Sequence, residues 1–272
     1  MIKTPIYYAG KKEKLLEQIL PFFPTSTKIF YDIFSGSCSV GINYGEKSQE
    51  VIFVDNSKPL QGITSLIKDV PYSLIENSLK NIVEENNGLN TKEDFLKFRT
   101  KVQYHYSALD LLVLTTACFN NQMRFNQKGG FNAPFGYRCS LENMLEKLKS
   151  FSEEIKKEKY HIVCKNYEDI LGLILIAAKD SFVYLDPPYL GSDATYNADW
   201  DEGAELKLYE FIETIDSAGV KFCLSNNKSY NPMIKELASK YEVVDLDWNY
   251  NSCSYHKKDR EQKTGEILIK NY

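Results

Sequence analysis

Short apolar runs separated by polar segments of helical period set the rhythm of this chain. Residues 29–33, 51–54, 160–164, 182–185 and 220–224 are rich in Ile, Val, Phe, Tyr and Leu, and read as buried strands. Residues 241–248 and 266–270 read as a final antiparallel pair. Residues 11–22, 167–177, 202–217 and 230–240 carry apolar positions at helical spacing and read as helices. Strands alternating with helices predict an α/β fold, with a mostly parallel sheet covered on both faces.

The interval from about 57 to about 159 breaks that alternation. It reads as consecutive helices over 60–68, 73–85, 91–102 and 108–121, with Thr91 and Asp94 spaced as a capping box. Arg124 to Asn132 follows as a hairpin that turns at Gly129-Gly130. The expected organisation is a catalytic domain of residues 1–56 and 160–272 and an inserted domain of residues 57–159. A helical block set between two strands of an α/β sheet has the shape of a specificity domain grafted on a catalytic one.

Composition narrows the classes. The 272 residues, 43% hydrophobic and 26% charged, suit a soluble globular protein that buries a full core. A net charge of -4 means that any nucleic-acid footprint must be a local basic patch. The six cysteines form no C-x-x-C pair and the three histidines are scattered, so no metal site is expected. A reduced, cytoplasmic protein with free thiols is the expectation. The longest uncharged apolar run, 170–178, is too short to span a bilayer, and the first five residues lack the apolar core of a signal peptide.

The candidate chemistry sits at strand exits. Asp186-Pro187-Pro188-Tyr189 follows the run 182–185, and proline, having no N–H, ends the ladder there. The tetrapeptide offers a carboxylate, a carbonyl fixed by proline and a ring that can stack, at the end of the sheet where α/β folds bind ligands. That set suits an enzyme gripping the exocyclic amine of a planar base; the plainer alternative is a Pro-rich strand exit. Asp32-Ile33-Phe34-Ser35-Gly36-Ser37 closes another strand, and Gly36 lets the backbone approach a ligand. Asp55 ends the next strand, where an acid can accept both hydroxyls of a ribose or simply cap a solvated turn. Tyr8-Ala9-Gly10-Lys11-Lys12 brings an aromatic and lysines to the start of the first helix. Neither a P-loop nor a three-glycine dinucleotide fingerprint is present, so a nucleoside without phosphates fits better than NAD or ATP.

Tyr8-x-Gly10-x-Lys12, Asp32-x-Phe34-x-Gly36, Asp55 and the DPPY of 186–189, in that order, resemble Dam-type (D12 class, alpha-group) DNA adenine-N6 methyltransferases, closest to the phage branch. The resemblance implies the class I fold of S-adenosylmethionine enzymes: a Rossmann-like, seven-stranded, mostly parallel sheet with an inserted helical target-recognition domain. It implies S-adenosyl-L-methionine as cofactor, met by Tyr8, Lys12, Asp32, Phe34, Gly36, Asp55, Asn166, Tyr167 and Asp186. Asp186, Pro187, Pro188 and Tyr189 become the catalytic residues, acting on an adenine flipped out of duplex DNA. Asn120, Gln122, Asn126, Lys128 and Asn132 around the hairpin carry amide and ammonium groups that suit major-groove edges or simply a polar surface turn. The resemblance makes the hairpin the reader of bases, with Arg124, Pro134 and Arg138 at recognition positions and GATC as the target. Read from the residues alone, Tyr196 sits on the flipped nucleotide's backbone or is a plain surface tyrosine, and Lys257 and Lys258, beside Tyr255, His256 and Arg260, meet phosphates or form a charged hairpin turn. Ser37, Asn166 and Gln122 depart from the residues usual in relatives. Double-stranded DNA is the only partner expected, with no membrane and no obligate protein. The competing functions are an RNA guanine-N2 methyltransferase, which can also carry a DPPY, and a DNA-binding module without catalysis.

Overall fold

The computed structural model describes residues 1–8, 10–191, 200–247 and 265–272. Its strands are β1 (Thr27–Ile33), β2 (Ser48–Val54), β3 (Tyr160–Val163), β4 (Ser181–Leu185), β5 (Lys221–Asn227), β6 (Glu242–Asp245) and β7 (Glu266–Lys270). Its α-helices are α1 (Leu16–Ile19), α2 (Ser39–Tyr44), α3 (Lys58–Asp69), α4 (Tyr72–Glu85), α5 (Lys92–Val102), α6 (Ala108–Ala117), α7 (Leu141–Ile155), α8 (Leu171–Ile176), α9 (Glu202–Ser217) and α10 (Ile234–Ala238). The seven strands form one sheet in the order β3-β2-β1-β4-β5-β7-β6. β1 runs parallel to β2 and β4, and β4 to β5, while β7 is antiparallel to both β5 and β6. The seven-stranded, mostly parallel sheet that the resemblance implies is present.

The chain divides into two compact units. One comprises Met1–Glu13, Gly36–Asn43 and Asp55–Cys164, and the other Lys14–Ser35, Tyr44–Val54 and Lys165–Tyr272. In the second unit the sheet order reverses between β1 and β4: β2 follows on one side of β1, and β5 on the other side of β4. Such a reversal leaves a crevice outside the carboxyl ends of the two middle strands, where open α/β sheets take their ligands. The strands there are locked from below. Phe30 and Phe182 stack at 5.3 Å, Phe23 meets Phe182 edge-on at 4.9 Å, and the buried Tyr184 and Ser225 hydroxyls share a 2.7 Å hydrogen bond. Burial of several large rings in one layer stabilises the sheet there.

The first unit is helical, with α3, α4, α6 and α7 packed together. α6 is buried from Leu111 through Ala117, as expected of a helix that is apolar all round. A complete capping box opens it: Ser107 accepts from the Asp110 N–H, and the Asp110 carboxylate accepts from the Ser107 N–H. Thr91 caps α5 by accepting from the Asp94 N–H at 3.1 Å.

Several elements depart from the pattern-based reading, each for a local reason. Residues 11–22 form a 3-10 turn at Lys12–Lys14, the short α1 and a second 3-10 turn at Leu20–Phe22, because Pro21 cannot donate to a longer ladder. α6 ends at Ala117 because Cys118 is extended and Asn120 and Asn121 are left-handed, each with φ +55°. α10 starts only at Ile234, since Pro232 disfavours helix at Asn231, whose side chain instead accepts from the Met233 N–H. α7, absent from the reading above, buries Met144, Leu145, Leu148, Phe151 and Ile155 along one face. No helix among the described residues is long and apolar enough to cross a membrane. Five described cysteines are free thiols, and burial pushes the Cys118 thiol up to about 12.

Candidate active site

In the second unit, β1 and β4 end side by side. Register pairs Ile33 with Leu185, and the Asp186 N–H then donates to the Ile33 carbonyl at 3.3 Å, extending the ladder by one rung. Pro187 stops it, so the chain must leave the sheet with Asp186 fixed beside the β1 exit. Asp186 and Pro188 are half-buried and Pro187 is buried. Asp32, on β1 between Phe53 and Tyr184, is 1% exposed. Phe34 adopts φ +60°, a conformation a bulky residue takes only where its surroundings impose it. Its ring lies 5.2 Å from Tyr167 and edge-on to Trp200 at 5.6 Å, and Tyr167 in turn meets Phe211 edge-on at 5.1 Å. Tyr167 is buried and Asn166, which precedes its 3-10 turn, is exposed.

Behind the DPPY lies a buried polar network that the sequence reading missed. The Tyr189 hydroxyl donates to Glu266 Oε2 at 2.9 Å, and Asn227 Nδ2 to Glu266 Oε1 at 3.4 Å. Asn231 Nδ2 donates to Glu205 Oε1 at 2.6 Å and Trp200 Nε1 to Glu205 Oε2 at 2.7 Å. Glu205, Asn226, Asn227, Asn231 and Glu266 are all at most 1% exposed. Hydrogen bonds hold Tyr189, Trp200, Glu205, Asn227, Asn231 and Glu266 to one another in two groups, and so fix the shape around the β4 exit. One sequence signal pointed to it: Ser225-Asn226-Asn227 closes the apolar run of β5, one strand over from the DPPY.

The first unit holds the other candidate cofactor residues. Asp55 takes one backbone N–H on each carboxylate oxygen: Gly36 to Oδ2 at 2.9 Å and Ser57 to Oδ1 at 2.8 Å. Burial raises its pKa above the usual carboxylate value, opposed by those two N–H groups. Gly36 has φ +51°, which a side chain would resist, and so brings its N–H to the carboxylate cheaply. Lys12 is 6% exposed and donates to the Gly10 carbonyl at 3.2 Å, and Tyr8 is half-buried. Next to Tyr8, the Tyr7 carbonyl accepts from the Met123 N–H at 3.4 Å, and Lys147 donates to the Tyr7 hydroxyl at 2.8 Å.

Met123 directly precedes the predicted hairpin. A bridge pairs Phe125 with Phe131, the Asn132 N–H donates to the Arg124 carbonyl at 2.8 Å, and the Asn126 N–H to the Gly130 carbonyl at 2.9 Å. Gly130 is required by close approach: a Cβ there would sit 2.4 Å from the Tyr104 ring. Arg124 is exposed, with its guanidinium oriented by Asn132 through Nε to Oδ1 at 2.9 Å and NH2 to the Asn132 carbonyl at 2.8 Å. Asn120, Gln122, Lys128, Pro134 and Arg138 are exposed. Asn126 is committed to the turn, its Oδ1 accepting from the Lys128 and Gly130 N–H groups. Asn121 is likewise spent inside, donating to the Thr115 and Thr116 carbonyls. Arg99, overlooked in the sequence, donates to the Ala133 carbonyl at 3.0 Å and ties the hairpin to α5. Tyr196, Lys257 and Lys258 lie outside the described residues. Among the described residues no cluster of three His, Cys, Asp or Glu side chains could hold a metal ion.

The family described as D12 class N6 adenine-specific DNA methyltransferase matches residues 8–252. Modification methylase StsI of Streptococcus sanguinis is 35% identical over all of this chain and 43% of its own length. Type II methyltransferase M.FokI of Planomicrobium okeanokoites is 32% identical, again over all of this chain and 43% of its own length. A DNA adenine methylase of Vibrio cholerae is 28% identical over 70% of this chain and 66% of its own. The chain therefore spans less than half the length of the first two relatives. With the match running through the N-terminal segment, both strand exits and the hairpin, the chain belongs to the D12 class of N6 adenine-specific DNA methyltransferases.

Proposed function

We propose that this chain is a site-specific DNA methyltransferase of the modification-methylase kind, which moves a methyl group from S-adenosyl-L-methionine to N6 of an adenine flipped out of duplex DNA. The observation that carries the reading is the Asp186 N–H on the Ile33 carbonyl, which fixes the DPPY beside the β1 exit at the reversal of the sheet. The residues fit the cofactor. Asp55 keeps acceptor capacity on both oxygens for the ribose hydroxyls, and the Phe34 and Tyr167 rings suit a flat adenine. The family resemblance assigns Tyr8 and Lys12 to the cofactor as well. Bound there, the cofactor supplies an already activated methyl group.

The protein's task is then alignment and electrostatics. Adenine N6 is a poor nucleophile because its lone pair is delocalised into the ring. Hydrogen bonds from its N–H groups to the Asp186 carboxylate and the Pro187 carbonyl hold the amine and favour a tetrahedral nitrogen. Those acceptors gain most as positive charge develops on N6, so they lower the barrier rather than only binding the base. Tyr189 offers the stacking face. Flipping the base costs on the order of a few kcal/mol, offset by stacking and by contacts elsewhere. Arg124, held in plane by Asn132, suits a guanine edge, and GATC is the target the family resemblance favours. Lys257 and Lys258 are assigned to phosphates, Tyr196 to the flipped nucleotide, and residues 57–159 to target recognition. The same reading assigns the chain to the cytoplasm.

The test is product analysis. The purified chain is given tritiated cofactor with duplex DNA or ribosomal RNA, and the nucleosides are separated after digestion. Label in N6-methyladenine from DNA is the expected result; label in guanine from RNA, or none, contradicts the reading.

A further inference from the structure

The acid that opens β7 lies far from the DPPY in sequence but touches it in the fold. Glu266 is 1% exposed, and its two oxygens accept from the Tyr189 hydroxyl at 2.9 Å and from Asn227 Nδ2 at 3.4 Å. Its backbone is pinned from both sides. It pairs in register with Asn227 of β5, and its carbonyl accepts from the Leu246 N–H at 2.9 Å. The preceding Gly265 carbonyl accepts from the Lys228 N–H at 2.8 Å. An acid held this firmly in a sheet cannot follow a moving neighbour, so it is the tyrosine ring that takes its orientation from the acid. A carboxylate also accepts a hydroxyl more strongly than a neutral oxygen does, and a phenol engaged this way presents a more negative face to a group gaining positive charge.

We propose that Glu266 is a positioning residue: it fixes the Tyr189 ring, through the phenol hydroxyl, as the surface on which the extruded base is stacked for methyl transfer. The proposal rests on the reading of the DPPY as the site of that transfer. Its test is a cycle of Tyr189→Phe, Glu266→Ala and the double variant, with Glu266→Gln as the conservative replacement. Single-turnover methyl transfer is followed at saturating DNA and cofactor, beside the cofactor Kd and the unfolding midpoint.

Tyr189→Phe and Glu266→Ala are each expected to slow transfer about tenfold, the loss of one hydrogen bond to a charged group. The double variant should be no slower than either single one, because both remove the same contact. Glu266→Gln, which keeps an acceptor but loses the charge, should return part of the rate, and the cofactor Kd should barely move. Equal losses from Glu266→Ala with Tyr189 intact and with Tyr189→Phe already in place would overturn the proposal. Tyr189→Phe at the wild-type rate also overturns it, whether or not Glu266→Ala folds. Asp186→Ala is the control for the underlying reading: if it keeps full rate, the site is misplaced. If it is inactive while the cycle shows no coupling, only the role of Glu266 falls.

Discussion

The β4 exit and the hairpin around Arg124 both present hydrogen-bonding groups, but they hold them in opposite ways. At the β4 exit, Tyr189 is 8% exposed and its hydroxyl ends in a carboxylate that is itself 1% exposed. Around the hairpin, Arg124, Lys128 and Arg138 are exposed, and Arg124 is steered by its neighbour Asn132. Groups that stabilise a developing charge must be in place before the reaction, in surroundings that screen little. Groups that read bases must instead stay hydrated until DNA displaces the water, and tolerate small adjustments on docking. Rigidity is concentrated where chemistry is assigned, and exposure where recognition is assigned.

Breaking each region should therefore fail differently. Asp186→Ala is expected to lose about 10²–10³ in single-turnover rate, while cofactor affinity falls far less. Arg124→Ala should weaken binding to the target duplex by about tenfold or more and relax preference at one base pair, leaving the rate at saturating DNA near wild type. Competition binding with single-base variants measures it; a loss of rate instead of affinity would move Arg124 into the chemistry.

Asp55 sharpens the contrast from the cofactor side. Burial raises its pKa, so it takes up a proton at a pH where an ordinary aspartate is still charged. That raised value also means its contribution to stability is greatest at low pH and is lost as pH rises through its folded pKa. Ribose hydroxyls need the charged acceptor, so cofactor affinity should fall by several-fold as pH drops through that range. Calorimetric titration at a series of pH values checks this, and Asp55→Asn should flatten the dependence. The smallest effect is expected at the cap of α6, the helix that leads into the hairpin. Ser107→Ala should cost about 1 kcal/mol in urea unfolding with activity intact.

Much of the scaffold was legible because it obeys simple periods. The fully buried β4 shows as an unbroken apolar run, and α9 spans the same 202–217 that its pattern marks. What stayed hidden depends on tertiary burial. Glu205 lies in the first turn of α9, where an acid ordinarily serves the helix dipole in water, yet here it is 0% exposed and holds Trp200 and Asn231. Glu266 looks like an ordinary charged strand start until β5 and β6 close around it. In the hairpin, composition cannot separate amides that face solvent from those, such as Asn121 and Asn126, consumed by the local backbone.

The most direct measurement is a crystal structure of the chain with S-adenosylhomocysteine and a duplex containing its target adenine. The account predicts an extruded adenine on Tyr189, with N6 at about 3 Å from both an Asp186 carboxylate oxygen and the Pro187 carbonyl. An adenine still stacked in the duplex, or one whose N6 meets neither acceptor, would contradict it.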